Sequence, residues 1–199
     1  MKVNYFVHPT AVIDEGATIG AGTRIWHFCH LMKGSRVGAD CVLGQNVFVG
    51  GSAKIGNRVK IQNNVSLYDS VIIEDDVFCG PSCVFTNVRN PRAFIERRNE
   101  FETTCIKKGA SLGANATILC GITVGEYALI GAGAVITKDV KAYALMTGNP
   151  AVQSGWVGRR GHILDESLRC PETGEHYQLV GNELQLAESS AEQSPAPKN

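Results

Sequence analysis

VGADCVLGQNVFVGGSAKIGNRVKIQNNVSL, residues 37–67, returns an aliphatic side chain at every sixth position: Val37, Leu43, Val49, Ile55, Ile61 and Leu67. Working outward, the same register runs back through Leu31, Ile25, Ile19 and Ile13 to Val7. It runs forward through Ile73 and Cys79 to Phe85, and after an interruption resumes as Ile106, Leu112, Ile118, Val124, Ile130 and Ile136. A helix places its apolar residues at a period of 3.6 and a strand at a period of two, so neither explains the spacing. A fixed period across most of a chain marks a repeat architecture, and a six-residue period indicates a parallel β-helix.

Each slot of the hexad has a physical task. The aliphatic first slot points inward. The second is often glycine (Gly20, Gly38, Gly44, Gly50, Gly56, Gly80, Gly113, Gly125, Gly131), which suggests a corner with backbone angles that other residues avoid. The fifth slot is small or β-branched, as at Ala53, Val59 and Val65, and fits beneath the turn. Three hexads make one triangular coil, and neighbouring coils are expected about 4.8 Å apart, the ordinary strand spacing. Ligands of such a prism bind along its outside, so outward residues are the functional candidates.

Composition narrows the partners. The 199-residue chain supports one domain plus an appendage, with 19 basic and 19 acidic side chains. A net charge of zero argues against nucleic acid and against a polybasic membrane patch. No apolar stretch approaches the roughly 20 residues of a membrane span. The start MKVNYFVHPT lacks the apolar core of a signal peptide. Seven cysteines are an odd number; Cys29, Cys41 and Cys83 fill fifth slots and Cys79 a first slot, as small apolar filler. Reduced thiols and a cytoplasmic location are expected.

From Phe85 to Ile106 lie 21 positions, three more than a full coil, and the intervening TNVRNPRAFIERRNEFETTC carries no hexads. Residues 86–105 therefore read as a loop thrown out from one corner, and long loops in compact domains are commonly functional. Arg89, Arg92, Arg97 and Arg98 interleave with Phe94 and Phe101, which suits a flap over an anionic ligand. The alternative is a solvated loop packed on a neighbouring subunit. The expected organisation is a β-helix over 1–141, an irregular or helical C-terminal cap over 142–186, and a disordered tail over 187–199.

Stacking places outward residues on ridges. His27, Gln45, Asn63 and Pro81 share one, Arg24 and Lys60 another, and Lys33, Asp69 and Asn87 a third. The amides Gln45, Asn46, Gln62, Asn63, Asn64 and Asn87 are dense, and amides offer the donors and acceptors that sugars and pyrimidines require. An asparagine ladder that merely stabilises turns is the competing explanation. His27 and His30 face outward from one coil. CPETGEHY, residues 170–177, resembles half a zinc ribbon, but one Cys and one His fall short of four ligands and it reads as a turn.

The hexads together with GAGAVITKDV and GNPA resemble the left-handed parallel β-helix of hexapeptide-repeat acyltransferases. RIWHF (24–28), GQNVFVG (44–50), KIQNNVSLYD (60–69), EDDVFCGPS (74–82) and FTNVRNPRA (85–93) resemble a narrower group. These are bacterial N-acetyltransferases that complete the 3-acetamido group of a UDP-2,3-diacetamido-2,3-dideoxyglucuronate, an O-antigen precursor. Relatives acting on dTDP-linked 3-amino sugars carry the same amide and loop pattern. The resemblance implies a homotrimer with active sites between adjacent prisms, and acetyl-CoA as cosubstrate along the C-terminal coils. Gly113, Ala114, Ala132 and Gly133 would meet its pantetheine amides, and Lys138 with the loop before Pro150 its nucleotide end. Arg24, His27, Gln45, Lys60, Gln62, Asn63, Tyr68 and Arg92 would bind the sugar nucleotide. The γ-class carbonic anhydrases share the prism and use three histidines across an interface. Here only His8, His162 and His176 supplement the His27/His30 pair, so no metal is expected.

A free amine attacks a thioester without an activating base, so Asn87 is the expected catalytic residue, holding the amine or polarising the acetyl carbonyl. His30 is the alternative base. An O-acyltransferase would need such a base, and a non-catalytic β-helix scaffold would need no ligand groove.

Overall fold

The computed structural model describes residues 4–187; residues 188–199 of the expected disordered tail lie outside the described residues. Very short parallel strands, most of two residues, stack into three faces. Phe6 pairs with Arg24, Val12 with His30 and Thr18 with Arg36, each 18 residues on. Seven coils follow one another, their first-face strands at Phe6–Val7, Arg24–Ile25, Val42–Leu43, Lys60–Ile61, Phe78–Cys79, Ser111–Leu112 and Leu129–Ile130. The second face runs from Val12–Ile13 to Val135–Ile136 and the third from Thr18–Ile19 to Thr123–Val124.

The first slots form the core. Ile25, Leu31, Leu43, Val49, Ile61 and Leu67 are fully buried, and Val7, Ile13 and Ile19 of the first coil are only partly so. Cys29, Cys41, Cys79 and Cys83 are buried within that core, and no cysteine is paired among the described residues.

The corners work differently from the sequence expectation. Left-handed φ falls on the fourth slot, at Asp40 (56°), Asn46 (58°) and Asn64 (62°) for example, and at Gly16, Gly22 and Gly34 where that slot is glycine. The second-slot glycines are there because no room remains. A Cβ on Gly38 would sit 2.3 Å from the Gly56 carbonyl oxygen, and one on Gly80 would sit 2.7 Å from that of Leu112. Close approach of the next coil, not special torsion, selects glycine at the second slot.

The loop interval also resolves differently. Phe78 pairs with Ser111 and Val84 with Thr117, an interval of 33 rather than 18. Ile106 is therefore the next first slot of the same coil, paired with Ile73, and fifteen extra residues leave the corner between the second and third faces. Arg89 and Glu102 clamp the neck of this loop at 2.8 Å. The neck passes so close to Gly121 that a side chain there would meet the Glu102 carboxylate.

The C-terminal extension is built of strands and irregular turns, with no helix among its described residues. Ala144–Gly148 pairs in parallel with Leu129–Ile130, extending the first face, and Ala151–Trp156 returns antiparallel along it. A second hairpin, Tyr177–Val180 with Glu183–Leu186, turns through Gly181 and Asn182. Alternation across a two-residue Gly-Asn turn is a hairpin signal that favours strand over helix here. Tyr143, Leu164, Cys170, Tyr177 and Leu184 make a small separate core.

Tyr177 is fully buried there; its hydroxyl accepts the Arg159 N–H at 2.9 Å and donates to Glu175 at 3.0 Å. Burial pushes its pKa up to about 12, whereas an unfolded tyrosine ionises near pH 10. The folded cap keeps a proton that the unfolded chain releases, so this contribution is complete below about pH 10 and is lost as pH rises toward 12. Tyrosine near-ultraviolet dichroism followed through thermal melts between pH 9 and 12 should show the cap weakening. The same melts of Tyr177→Phe should lose that pH dependence, and a wild-type cap indifferent to pH over this range contradicts the account.

Candidate functional site

The stacking gathers the polar candidates into two groups. The corner between the first and second faces carries His27, Gln45 and Asn63 on successive coils. An open cavity of about 320 Å³ there is walled by Trp26, His27, Gln45, Gln62 and Asn63 among others. Arg24 and Lys60 flank it on the first face, each paired in register with Val42 between them. Both are exposed, and neither has an ion-pair partner among the described residues.

The amides divide by role. The side-chain oxygen of Asn63 accepts the Gln45 backbone N–H at 2.9 Å, and Asn46 donates to Asn64 at 3.1 Å. Those are ladder contacts between coils, as the structural explanation of the amides required. The side chains of Gln45, Gln62 and Asn87 make no hydrogen bond to the described residues and remain available to a ligand.

The second group lies at the loop corner. Tyr68 is 40% exposed, and Asn87 is half-buried at the loop root, its carbonyl accepting the Glu102 N–H at 3.2 Å. Of the loop's four arginines, Arg89 pairs with Glu102, Arg97 with Glu100 and Arg98 with Glu96. Arg92 instead donates to the neighbouring Pro91 carbonyl at 2.9 Å and has no carboxylate partner among the described residues. The second face separates this group from the first, so a single prism does not bring the two together.

Two residues passed over in the sequence join the candidates. His8 stacks on His27 with ring centroids 3.6 Å apart. Asp14 holds the His30 Nε2 at 3.1 Å, and this contact, with the Lys33 backbone N–H, holds the Asp14 carboxyl below its usual range. Both pairs lie a residue or two off the 18-residue ladder, which hid them. Height matters for His30. It sits in the second coil and Asn87 in the fifth, three spacings of about 4.8 Å, or about 14 Å along the axis.

The upper coils carry the remaining candidates. Gly113 donates its N–H to the Ile130 carbonyl and Gly133 its own to the Ala114 carbonyl, both at 2.8 Å. Those two amides are therefore engaged by the stack. The N–H groups of Ala114 and Ala132, and the carbonyl of Gly133, have no partner among the described residues and lie at the same corner, between the first and second faces. Lys138 is exposed beyond the last full coil, and Pro150 stands at the tip of the first cap hairpin after a cis Asn149–Pro150 bond. No cluster of three or more His, Cys, Asp or Glu suited to a metal occurs among the described residues, and no helix among them is long and apolar enough to cross a membrane.

Comparison with known proteins adds the lineage. Residues 16–51 and 106–138 match the bacterial transferase hexapeptide model (six repeats), and residues 35–69 the hexapeptide repeat of succinyl-transferase. The hexapeptide match gives the stack its hand, that of the left-handed β-helix. Over 178 residues the chain is 44% identical to dTDP-3-amino-3,6-dideoxy-alpha-D-galactopyranose 3-N-acetyltransferase of Aneurinibacillus thermoaerophilus, covering 88% of this chain and 91% of that one. A putative acetyltransferase of Bacillus cereus has a similar fold, with a TM-score of 0.54 and 23% identity over 79% of this chain and 88% of that one. WeeI from Acinetobacter baumannii AYE matches with a TM-score of 0.50 and 21% identity, over 74% of this chain and 56% of that one.

Proposed function

Because the chain belongs to the hexapeptide-repeat acyltransferases, we propose that it transfers an acetyl group from acetyl-CoA to the 3-amino group of a nucleoside-diphosphate sugar. The observation that carries this reading is the order of candidates along the prism axis. Arg24, His27, Gln45, Lys60, Gln62 and Tyr68 occupy the second to fourth coils, Asn87 the fifth, and the free backbone groups of Ala114, Ala132 and Gly133 the sixth and seventh. An extended sugar nucleotide from below and a pantetheine arm from above would meet at the height of Asn87.

The separation of the two groups across the second face supports a homotrimer. Prisms packed side by side would set the first corner of one against the loop corner of the next. Exposed Trp26, Phe28 and Phe94 supply apolar area for that contact. Sedimentation should give a trimer; a stable, active monomer would overturn this part. Free thiols on all seven cysteines support action in the cytoplasm.

A UDP-linked 2-acetamido-3-amino-2,3-dideoxyglucuronate, a lipopolysaccharide sugar precursor, is the first substrate. The unpaired cations Arg24, Lys60 and Arg92 suit a diphosphate plus a carboxylate. A dTDP-linked 3-amino-deoxyhexose is the second reading, favoured by the name of the 44% identical relative. Incubating the protein and acetyl-CoA with UDP- and dTDP-linked 3-amino sugars, while following free thiol, separates the two. Thiol release with hydroxyl-bearing nucleotide sugars alone would instead make it an O-acyltransferase, and none with any acceptor would leave a binding scaffold.

A further inference from the structure

The corner between the third and first faces carries neither candidate group, yet it holds a cleft of about 260 Å³ where the cap meets the prism. Its walls include Ser111 and Tyr127 from the prism and the cap turn 158–161 with Arg159 and Arg160. Arg159 is fixed in place: its guanidinium lies 5.5 Å over the Tyr127 ring and its backbone N–H binds the buried Tyr177 hydroxyl. Tyr127 in turn stacks on Tyr143 at 5.4 Å.

Charge in the cleft is uncompensated. Neither Arg159 nor Arg160 has a carboxylate partner among the described residues. The carboxylate in the lining, Asp76, is taken by Arg58 through contacts of 2.6 and 2.8 Å. The Ser111 hydroxyl and the Arg160 backbone N–H have no acceptor among the described residues. Two guanidinium forks, one pre-positioned, with a hydroxyl and a backbone N–H beside them, match the donor set that a tetrahedral oxyanion requires.

We propose that this cleft is a phosphate-binding site, built by Arg159, Arg160 and Ser111 at the seam of cap and prism. It lies on the opposite edge of the first face from Ala114 and Ala132. The phosphate is either free or the ribose 3′-phosphate of coenzyme A bound by the same molecule or a neighbouring copy.

Calorimetry on the full chain at low salt tests the site without turnover, so failure of the acetyltransferase reading leaves the phosphate arm intact. The probes are inorganic phosphate, acetyl-CoA and its 3′-dephospho analogue, titrated into wild type, Arg160→Gln and Ser111→Ala. Arg160 is exposed, so Arg160→Gln should keep the wild-type dichroism. If the phosphate is free, wild type binds inorganic phosphate saturably and Arg160→Gln weakens it at least about tenfold, the loss of one charge-assisted hydrogen bond. If it belongs to coenzyme A, wild type prefers acetyl-CoA over the dephospho analogue and Arg160→Gln abolishes that preference. Ser111→Ala should act in the same direction with a smaller effect. The proposal is overturned if Arg160→Gln leaves both phosphate affinity and that preference unchanged, or if wild type shows neither.

Discussion

Replacing Asn87 with alanine is expected to lower turnover by about 10²–10³, the usual loss for one hydrogen-bond donor to a developing oxyanion. Its side-chain amide has no hydrogen-bond partner among the described residues, is half-buried at the loop root, and stands at the height where the proposed acceptor and acetyl donor would meet. In the proposed reaction the acceptor amine would need orientation more than activation, and the departing thiolate would take its proton. His30→Ala should stay within about tenfold, because removal of a true general base costs 10² or more. In any assembly whose symmetry axis runs parallel to the prism, His30 stays about 14 Å below Asn87, three strand spacings away, with Asp14 as its partner. Rates against pH should rise with the substrate amine in both wild type and His30→Ala. A hundredfold loss in His30→Ala, with the basic limb gone, would install the histidine as base and remove Asn87 from that role.

Phe85→Ala should destabilise the fold by about 3–5 kcal/mol, the range for deleting a buried aromatic ring. Phe85 is 1% exposed, the one aromatic first slot in the register, and lies between Leu67 below and Ile118 above. A stacked solenoid transmits stability between neighbours, so a void at the fifth coil weakens the contact between the lower and upper halves. Urea unfolding followed by far-ultraviolet dichroism should show a lowered midpoint. An unchanged midpoint would mean that the coils close over the void. The variant should also loosen the root of the loop, two residues before Asn87, and so lose activity at temperatures where its fold persists.

The first slots were legible because a six-residue period leaves no other way to bury them, and Ile25 to Ile136 are buried where the spacing put them. The extruded loop was visible as a gap in that period, although its length was not. Only the pairing of Ile73 with Ile106 shows that the gap is one hexad plus fifteen residues. The glycines were legible as corner residues and misassigned as to cause, since a sequence does not distinguish a crowded Cβ from a demanding torsion. Ladder amides and free amides look alike in a string, so Asn63 and Gln62 separated only once the Gln45 contact was known. His8 with His27 and Asp14 with His30 were hidden because side chains reach across corners by one or two residues off the ladder. The cap was least legible. Its strands follow no hexad, and its small core of Tyr143, Leu164, Cys170, Tyr177 and Leu184 draws residues from far apart in the chain.

The pairing interval of 18 behaves as a reading frame. Inserting one residue within a face would turn inward and outward positions over in that strand, because successive strand residues face opposite ways. Polar ridge residues would enter the core and core residues would reach solvent. Whole coils, by contrast, add or drop out in phase, as does chain released at a corner, and the fifteen residues that leave between Phe85 and Ile106 do so without disturbing the ladders above or below. In this chain the extra length leaves at one corner, where Asn87 and Arg92 stand. A loop at that corner can therefore change in length and sequence while the scaffold stays in phase.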